Sequence, residues 1–365
     1  MSPVRAFVPD DIPQAADLNW NVLRRGKGPA PAALRSYFER LYFHNPWVDE
    51  SLPSLVFEDA TQKIVGFLGV IPRPMSVRGE PLRAAFGSNL VVHPDSRSTL
   101  AGLHLVKTYL AGKQDISLSD SANELTAKVQ KGLGAVTLLL DSIHWSRPLR
   151  PSLYALDAIC RLRKNKLTAA LKSLAKPFGM LADNVVTKIS SSPFHQDVPR
   201  LKGENLGVDT LLSCYSDFSG RYALRPKYDL GSLKWLLDFM DQMKAYGEIQ
   251  RTVLRNDRNE IVGWYIYYLK RGGVGEVVQI GGAKQSTADI LRHLFFDAWK
   301  RGAIGLHGRL DAQLLEDLSG VGCFFYRRGG WMQAHSRRPE LLQFIQGGDA
   351  FLTRLDGEWC LTSNL

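Results

Sequence analysis

Residues 94–99 form a polar loop whose composition and position suit the binding of a phosphate group. The apolar stretch before the loop, residues 84–93, predicts a largely buried strand, and apolar residues at helical spacing after it predict a helix. Ser98 can cap the start of that helix. The first N–H groups of a helix lack intrahelical partners and carry partial positive charge. The loop, with Arg97 near the helix start, is therefore a candidate site for a pyrophosphate.

The same stretch resembles a known cofactor signature. Val92 and Pro94, followed by Arg97 and Gly102, are similar to the Val-x-Pro strand end and Arg/Gln-x-x-Gly-x-Gly/Ala loop of the GNAT acyltransferase superfamily, with Leu100 in the place of the first glycine. The resemblance implies acetyl-CoA or another acyl-CoA as co-substrate. The cofactor-binding residues that it implies are Leu90, Val91 and Val92 for the pantetheine and the carbonyl oxygen, and Arg97, Ser98 and Gly102 for the pyrophosphate.

A second segment, residues 123–134, resembles the part of GNAT domains that leads from the fifth strand into the next helix. Asn123 and Gly134 are in register with that pattern, which makes Asn123 a further cofactor-binding candidate. Gln130 stands where many members place the tyrosine that protonates the departing thiolate.

In a GNAT reaction an amine attacks the thioester, and an amine with a pKa of about 10 must first lose a proton. Candidate bases in the first half of the chain are Asp120, Glu124 and His93. Each residue also has a structural interpretation, as a helix cap, a first-turn acid or a polar residue at a strand end.

The second half of the chain offers a rival site. Gly281, Gly282 and Lys284 follow a predicted strand and precede a predicted helix, as in an anion-binding loop. Glu276 begins that strand and is a candidate base, and Tyr326 is a candidate acid. The alternative is that the two glycines form only a tight turn and that Glu276 is an exposed strand residue.

The elements that would position these residues occur twice. Residues 252–264 align without a gap to residues 55–67, and both predict hairpins that end in Ile-Val-Gly-aromatic. Two helices precede each hairpin, the first pair including a helix over 32–42, and a central strand and a helix follow it. A last hairpin is predicted from residues 323–326 and 331–335. The sequence thus predicts an α/β (α+β) fold of two GNAT-like domains, each with a mixed, mostly antiparallel central sheet flanked by helices.

Three segments divide the chain under this interpretation. Residues 1–157 are the N-terminal GNAT-like domain, residues 158–207 a basic amphipathic bridge and linker, and residues 208–365 the C-terminal GNAT-like domain. Residues 158–182 hold six basic residues and no acid, with leucines on one helical face. This pattern fits either contact with an anionic membrane surface or a solvated helix that crosses between domains.

Composition narrows the function classes. The formal net charge of +10 indicates attraction to anions, but no zinc-finger, RNP-like or helix-turn-helix pattern accompanies it, so no nucleic-acid partner is expected. The four cysteines are scattered without metal-ligand spacing, so no metal is expected. The start of the chain lacks a signal-peptide pattern, which predicts a cytoplasmic protein, membrane-peripheral if the basic segment binds lipid.

These features predict a CoA-dependent N-acyltransferase. It would move an acyl group, in the first instance acetyl, to an amine of a sugar, amino acid or peptide-like small molecule bound between the domains. The alternative is a degenerate, non-catalytic GNAT pair that serves as a binding or assembly protein, a hypothesis that rests on Leu100 and Gln130.

Overall fold

The computed structural model describes residues 3–162, 166–327 and 329–362, apart from the side chains of residues 97, 98, 166–173 and 362. The strands in chain order are β1 (Val4–Ala6), β2 (Leu55–Glu58), β3 (Ile64–Val77), β4 (Glu80–Val92), β5 (Ile116–Ala122), β6 (Val136–Thr137), β7 (Ile143–Pro148), β8 (Lys202–Asn205), β9 (Leu224–Pro226), β10 (Glu248–Arg255), β11 (Ile261–Leu269), β12 (Val274–Gly282), β13 (Gly305–Arg309), β14 (Phe324–Arg327) and β15 (Trp331–His335). The helices are α1 (Ile12–Val22), α2 (Ala32–Tyr42), α3 (Ala101–Leu110), α4 (Glu124–Gly132), α5 (Pro151–Leu162), α6 (Lys166–Val186), α7 (Val208–Ser219), α8 (Leu230–Met240), α9 (Thr287–Lys300), α10 (Leu315–Gly320), α11 (Pro339–Gln346) and α12 (Trp359–Thr362).

The chain folds into two compact units. Unit 1 consists of Met1–Ser142, Tyr222–Leu236 and Gly329–Leu365, and unit 2 consists of Ile143–Arg221 and Leu237–Arg328. The sheet of unit 1 has the order β1-β2-β3-β4-β5-β15-β6, with β9 paired to β3. The sheet of unit 2 has the order β14-β7-β13-β12-β11-β10-β8. Each sheet is mixed and mostly antiparallel, as the sequence predicts.

The two units exchange strands, and this changes the predicted domain limits. β7 comes from the predicted N-terminal domain but lies between β13 and β14 of unit 2, where Trp145 is buried in the core. β15 comes from the predicted C-terminal domain but pairs with β5 and β6 of unit 1. The predicted hairpin of residues 323–326 and 331–335 is therefore wrong, because its two strands belong to different sheets.

The basic bridge also differs from the prediction. It is not a single helix or a separate segment, because α5 and α6 both belong to unit 2 and pack against each other. Two backbone N–H groups at the start of α5, those of Ser152 and Leu153, donate to the Asp183 carboxylate of α6 at 2.7 and 3.1 Å. In the part of the chain that the structure describes, no helix combines the length and the apolar character needed to cross a bilayer.

Each core forms where one helix packs on the central strands. In unit 1, α3 covers β2, β3 and β4, and its buried residues include Leu105 and Val106. In unit 2, α9 covers β11, β12 and β13, and its buried residues include Leu294 and Phe295. In both units this helix follows the central strand directly, which fixes the strand–loop–helix geometry of the candidate sites.

Candidate functional site

The central strands of unit 1 separate in the middle of the sheet. β4 and β5 pair in parallel only where Ala84–Phe86 face Ile116–Leu118. Beyond this point β4 stays with β3 while β5 stays with β15, so the two strands diverge. The hydroxyl of Tyr109, on α3, lies 2.7 Å from the carbonyl oxygen of Ala85 and 2.9 Å from that of Leu118. Tyr109 thus satisfies backbone groups of both strands at the place where they part.

A β-bulge lies on β4 beside this opening. Phe67 faces Val91 across the β3–β4 pair, but Gly69 faces Ser88, so two residues of β4 oppose one residue of β3. One of the two, Asn89, has a φ of 50°, a left-handed conformation that asparagine adopts more readily than most residues. A bulge interrupts the regular ladder and redirects the backbone, which here lines the opening.

A cavity of about 220 Å³ occupies the opening. Its lining combines polar and apolar groups and comes mainly from β4, β5, α4 and a later segment of the chain. The lining residues on which the chemistry depends are Ser88, Asn89, Leu90, Ser121, Asn123, Gln130 and Glu358. Gln130 is buried, and its side-chain oxygen Oε1 has no hydrogen-bond partner among the described residues. A buried acceptor without a donor costs free energy, so a ligand N–H is its natural partner.

Two neighbouring carboxyl groups, Glu358 and Asp120, lie at the cavity, and Glu358 is in its wall. Glu358 is buried in the cavity wall, accepts a hydrogen bond from the hydroxyl of Ser121 and is hydrogen-bonded to Asp120. Burial, and secondly the charge of Asp120, raise the pKa of Glu358 well above its ordinary value. Two carboxyl groups this close do not both ionise readily, so they titrate as a pair. Such a carboxylate is a stronger base than an exposed one.

Glu358 is held by a buried segment, residues 351–361, that belongs to unit 1. Arg73 fixes it by donating from Nε to the carbonyl oxygen of Asp356 and from Nη2 to that of Leu355, both at 3.1 Å. Gly357 lets the segment approach β5, because a Cβ there would overlap the Asp120 carboxylate. Glu358 is therefore positioned by backbone anchoring and not by a strand of the sheet.

A chain of hydrogen bonds ends at Ser88. Its first links are Arg24 Nε to Asn19 Oδ1 at 3.1 Å and Asn19 Nδ2 to Asn89 Oδ1 at 3.3 Å. Asn89 Nδ2 then donates to the hydroxyl of Tyr42 at 2.9 Å, and Tyr42 lies 3.2 Å from Ser88 Oγ. Since a guanidinium only donates, Arg24 sets the direction of the chain as far as the hydroxyl of Tyr42. Either hydroxyl can donate in the contact between Tyr42 and Ser88, and when Tyr42 donates, the Ser88 proton is left for a group in the cavity.

The predicted phosphate loop lies at the start of α3. The side chains of Arg97 and Ser98 lie outside the described residues. Leu100 has a φ of 56°, so it keeps the left-handed conformation that favours a glycine, and its side chain is exposed and does not fill the cavity. A Cβ at Gly102 would make only an ordinary 3.5 Å contact with Val92, so packing within the protein does not itself require glycine there.

The other first-half candidates take different places. Asn123 lines the cavity and caps α4, accepting a hydrogen bond from the N–H of Thr126 at 2.9 Å. Glu124 is exposed in the first turn of α4 and is not part of the cavity lining. His93 caps the turn after β4 with Nδ1 at 3.4 Å from the N–H of Asp95. Of these three, only Asn123 lies beside Glu358 in the cavity wall.

Unit 2 repeats the strand pattern of unit 1. β12 and β13 pair in parallel only between Val274–Glu276 and Gly305–His307, and β12 is bulged where Ile266 faces Gln279 and Tyr267 faces Val277. Large side chains pack beside these strands. Trp264 is fully buried, donates from Nε1 to Gln279 Oε1 at 2.9 Å, and lies against Phe218 of α7.

The second predicted phosphate loop, at Gly281, Gly282 and Lys284, is not a loop at its glycines. Gly281 and Gly282 are the buried last residues of β12, and a Cβ at Gly281 would overlap the ring of Trp264. A Cβ at Gly282 would approach Ile290 of α9 to 2.7 Å. The glycines therefore allow close packing of strand, tryptophan and helix. Lys284 is exposed in the short turn that follows.

Glu276 and Tyr326 are not brought together. Glu276 is partly buried, with its carboxylate against the ring nitrogen Nε2 of His307 on the neighbouring strand, so it is not the exposed strand residue of the alternative interpretation. Tyr326 lies on β14, which is separated from β12 by β7 and β13, a distance of about 14 Å at ordinary strand spacing. The second-half candidates do not form one acid–base site.

Glu358 is the residue that the sequence interpretation missed. The signal was present, because residues 351–361 alternate between apolar residues and the charged residues Arg354, Asp356 and Glu358, which is unusual for a solvated tail. Nothing in the local pattern relates that segment to β5, which is more than 230 residues earlier in the chain.

Comparison with known proteins supports the fold. No protein-family model and no curated protein matches the sequence. Among solved structures, the chain is similar to a conserved protein of unknown function from Enterococcus faecalis V583, a probable N-acyltransferase, with 11% identity and a TM-score of 0.60 over 91% of this chain and 72% of that one. It is also similar to a GCN5-related N-acetyltransferase from Anabaena variabilis, with 11% identity and a TM-score of 0.59 over 92% and 73% of the two chains.

A GCN5-related N-acetyltransferase from Kribbella flavida is a third such structure, with 12% identity and a TM-score of 0.54 over 91% of this chain and 70% of that one. These matches extend over both units. The chain has the fold of the GNAT acyltransferase superfamily.

Proposed function

We propose that this protein is a CoA-dependent N-acyltransferase whose cavity in unit 1 receives the thioester end of acyl-CoA. The observation that carries the proposal is the cavity between β4 and β5, which combines a bulged strand, a buried acceptor at Gln130 and a buried carboxyl at Glu358. The probable N-acyltransferase and the two N-acetyltransferases of the same fold support the reaction class.

The cofactor would lie along β4. The bulge at Asn89 and Leu90 presents backbone groups for the pantetheine arm and the thioester carbonyl, and Gln130 Oε1 accepts from a pantetheine amide. The pyrophosphate would sit at the N-terminus of α3, where the first N–H groups and Arg97 supply positive charge. Leu100 does not prevent this, because the backbone keeps the conformation that a glycine would give.

The chemistry follows from the two groups in the cavity wall. Glu358 takes a proton from the acceptor ammonium, the free amine attacks the thioester carbon, and the C–N bond forms as the C–S bond breaks. With Tyr42 donating to Ser88, the Ser88 proton stabilises the carbonyl oxygen or the departing sulfur. The products are an amide, a CoA thiol and one proton released to solvent.

The size of the cavity favours a short acyl group. Pockets that enclose drug-sized ligands measure about 300–1,000 Å³, and this one is smaller at about 220 Å³. Acetyl-CoA is therefore the proposed donor. The proposed acceptor is a small amine of the sugar, amino acid or peptide-like class.

Two measurements test the function together. Calorimetric titration with acetyl-CoA should show saturable binding, and a thiol-release assay with a panel of amino sugars, amino acids and short peptides should show transfer to at least one amine. Binding without transfer to any acceptor would favour the non-catalytic alternative. No binding of acetyl-CoA to the folded protein would contradict the proposal.

A further inference from the structure

Unit 1 contains another cavity, a groove of about 840 Å³ beside the end of the β3–β4 hairpin. Its walls come mainly from the loop after α2, from residues 72–75 of β3 and from residues 81–84 of β4. None of its lining residues lines the cavity at Glu358. Ala84, which faces Arg73 across the hairpin, precedes Ser88 by about 13 Å along the strand. The groove is therefore a separate space in unit 1.

A recess of about 10 Å³ adjoins this groove, which is room for about one water-sized atom. The residues that line both the recess and the groove are Trp47, Arg73, Pro74, Met75 and Lys227. The recess thus extends the groove toward Arg73.

Arg73 brings a buried cation with an unused donor to both spaces. It is 5% exposed, and its guanidinium carbon lies 3.8 Å from the centroid of the Trp47 ring. Nε and Nη2 donate to backbone carbonyls of the segment that carries Glu358. Nη1 is buried and has no hydrogen-bond partner among the described residues. An unmade hydrogen bond at a buried charged group costs free energy, so an acceptor beside Arg73 is its natural partner.

A second cation lies next to Arg73. The backbone N–H of Lys227 donates to the carbonyl oxygen of Pro74 at 2.8 Å, which fixes Lys227 beside β3. Its side chain is exposed, and it forms no ion pair within the ranges that the structure describes. Arg73 and Lys227 together therefore favour an anionic ligand over a neutral one.

The acids near these two cations are already engaged or solvated. Asp356, in the wall of the recess, accepts from the N–H and the hydroxyl of Thr353, both at 2.7 Å, and from the hydroxyl of Tyr228. Burial raises the pKa of Asp356, so it holds its charge less readily than an exposed acid.

In the groove, Asp49 accepts from the N–H of Ser51 and Asp115 from that of Arg83, both at 2.8 Å. Glu50 is exposed, so solvent screens its charge. These acids leave Nη1 of Arg73 without an acceptor.

We propose that this groove binds a small organic molecule through a carboxylate, with one oxygen in the recess against Arg73 and the other toward Lys227. Charge-assisted hydrogen bonds of this kind are stronger than neutral ones. The groove also supplies apolar contacts for the body of the ligand, from Pro46, Pro72, Pro81, Leu82 and Met75. A water molecule in the recess would satisfy Nη1 but would use neither Lys227 nor these apolar groups.

The test is calorimetric titration of the full chain with two carboxylates, N-acetyl-L-leucine and benzoate, and with the amide of each. Neither carboxylate has a free amine, so neither is an acyl acceptor. At least one carboxylate should bind at least tenfold more tightly than its amide. Lys227→Ala should weaken that binding about 3- to 10-fold. Arg73→Lys keeps the charge but lacks Nη1, and should weaken it at least tenfold.

Lys63→Ala is the matched control, because Lys63 is also an exposed lysine of unit 1 but lies outside the groove. It should bind the carboxylate as the wild type does. Circular dichroism should show that the variants are folded, and Lys227→Ala tests the site even if Arg73→Lys is not.

Hydrogen–deuterium exchange locates the ligand. The bound carboxylate should slow exchange at residues 73–75 and 82–84 and leave residues 119–123 unchanged. No binding of either carboxylate below about 10 mM, equal binding of the amides, an equal loss in Lys63→Ala, or protection only at residues 119–123 would each overturn the proposal. So would a crystal soaked in the carboxylate that holds only water beside Nη1.

Discussion

Units 1 and 2 share one strand plan, but the side chains beside the central strands differ. Counted from the Ile-Val-Gly-aromatic end of each hairpin, Gly69 and Ser88 of unit 1 stand at the register of Ile266 and Gln279 in unit 2. The small pair leaves the polar cavity beside Glu358, whereas Gln279 binds the buried Trp264. The same backbone arrangement thus leaves a cavity in one unit and is filled by packed side chains in the other.

Two glycines that let neighbouring side chains approach the backbone show the same contrast between the units. Gly69 makes room for polar groups, since a Cβ there would overlap the hydroxyls of Tyr42 and Ser88. Gly281 makes room for an apolar ring, that of Trp264. A glycine beside a central strand therefore indicates a close approach, but its neighbours decide whether that approach builds a site.

The largest expected effect comes from removing Glu358, the proposed base in unit 1. Glu358→Gln should lower kcat by about 10²- to 10⁴-fold, the usual contribution of a general base, and leave the dissociation constant for acetyl-CoA within about twofold. Steady-state kinetics and calorimetry check this. The matched change in unit 2, Glu276→Gln, should leave kcat/KM for the acceptor unchanged, and an equal loss there would contradict the assignment to unit 1.

The same variant should change how stability depends on pH. Burial raises the pKa of Glu358 in the folded state, so its contribution to stability is full below the ordinary carboxyl pKa of about 4.3 and is lost as pH rises through the raised value. The melting temperature of Glu358→Gln should therefore change less with pH above about pH 5 than that of the wild type. Thermal melts from pH 4 to 9 measure this, and parallel curves for the two proteins would show that Glu358 titrates normally.

Exchanging the side chains at the shared register should distinguish the role of unit 1 from that of unit 2. Ser88→Gln places in unit 1 the residue found in unit 2, and should weaken acetyl-CoA binding by about 10- to 100-fold because the added atoms occupy the cavity wall. Gln279→Ser removes the bond to Trp264, and should lower the free energy of unfolding by about 1–2 kcal/mol with unchanged acetyl-CoA affinity. Calorimetry and urea unfolding distinguish the outcomes, and a reversed pattern would move the site to unit 2.

A smaller effect should follow from breaking the hydrogen-bond chain without changing its shape. Asn19→Asp can still accept from Arg24 but cannot donate to Asn89, so Asn89 loses the bond that orients it toward Tyr42 and Ser88. We expect kcat to fall about 5- to 30-fold, the equivalent of about 1–2 kcal/mol, with KM for acetyl-CoA little changed. Arg24→Lys, which keeps a donor-only cation, should retain more activity than Arg24→Met. Equal activity in those two variants would exclude a directional role.

The smallest expected effect comes from single substitutions that compare the two predicted phosphate loops. Arg97→Ala should weaken acetyl-CoA binding about 3- to 10-fold, the loss of one charged contact, and Lys284→Ala should leave it unchanged. Calorimetry at low salt gives both dissociation constants. A loss at Lys284 alone would place the phosphates in unit 2.

The sequence predicted those parts of the fold that depend on local pattern. The helix over 32–42 and the paired hairpins appear where expected, because periodicity, turn residues and caps act over a few residues. The strand-loop-helix after β4 was predicted for the same reason. The exchange of β7 and β15 was not, since an apolar strand does not specify which sheet it joins.

The site residues also divide into those that local pattern located and those that only long-range contacts place. Leu90, Asn123 and Gln130 lie in the cavity wall because they sit on the elements that the pattern located. Gly281 and Gly282 were misplaced, because a glycine pair has the same sequence whether it turns a loop or admits a tryptophan. Glu358 was missed because only the folded chain brings its segment to Asp120.

Hydrogen–deuterium exchange with and without acetyl-CoA tests most directly whether unit 1 holds the cofactor. The account predicts slower exchange at residues 87–92, at the first turn of α3 and at residues 119–123, with no change in β12 or at residues 283–287. Protection confined to β12 and the start of α9, or no protection anywhere at saturating acetyl-CoA, would contradict it.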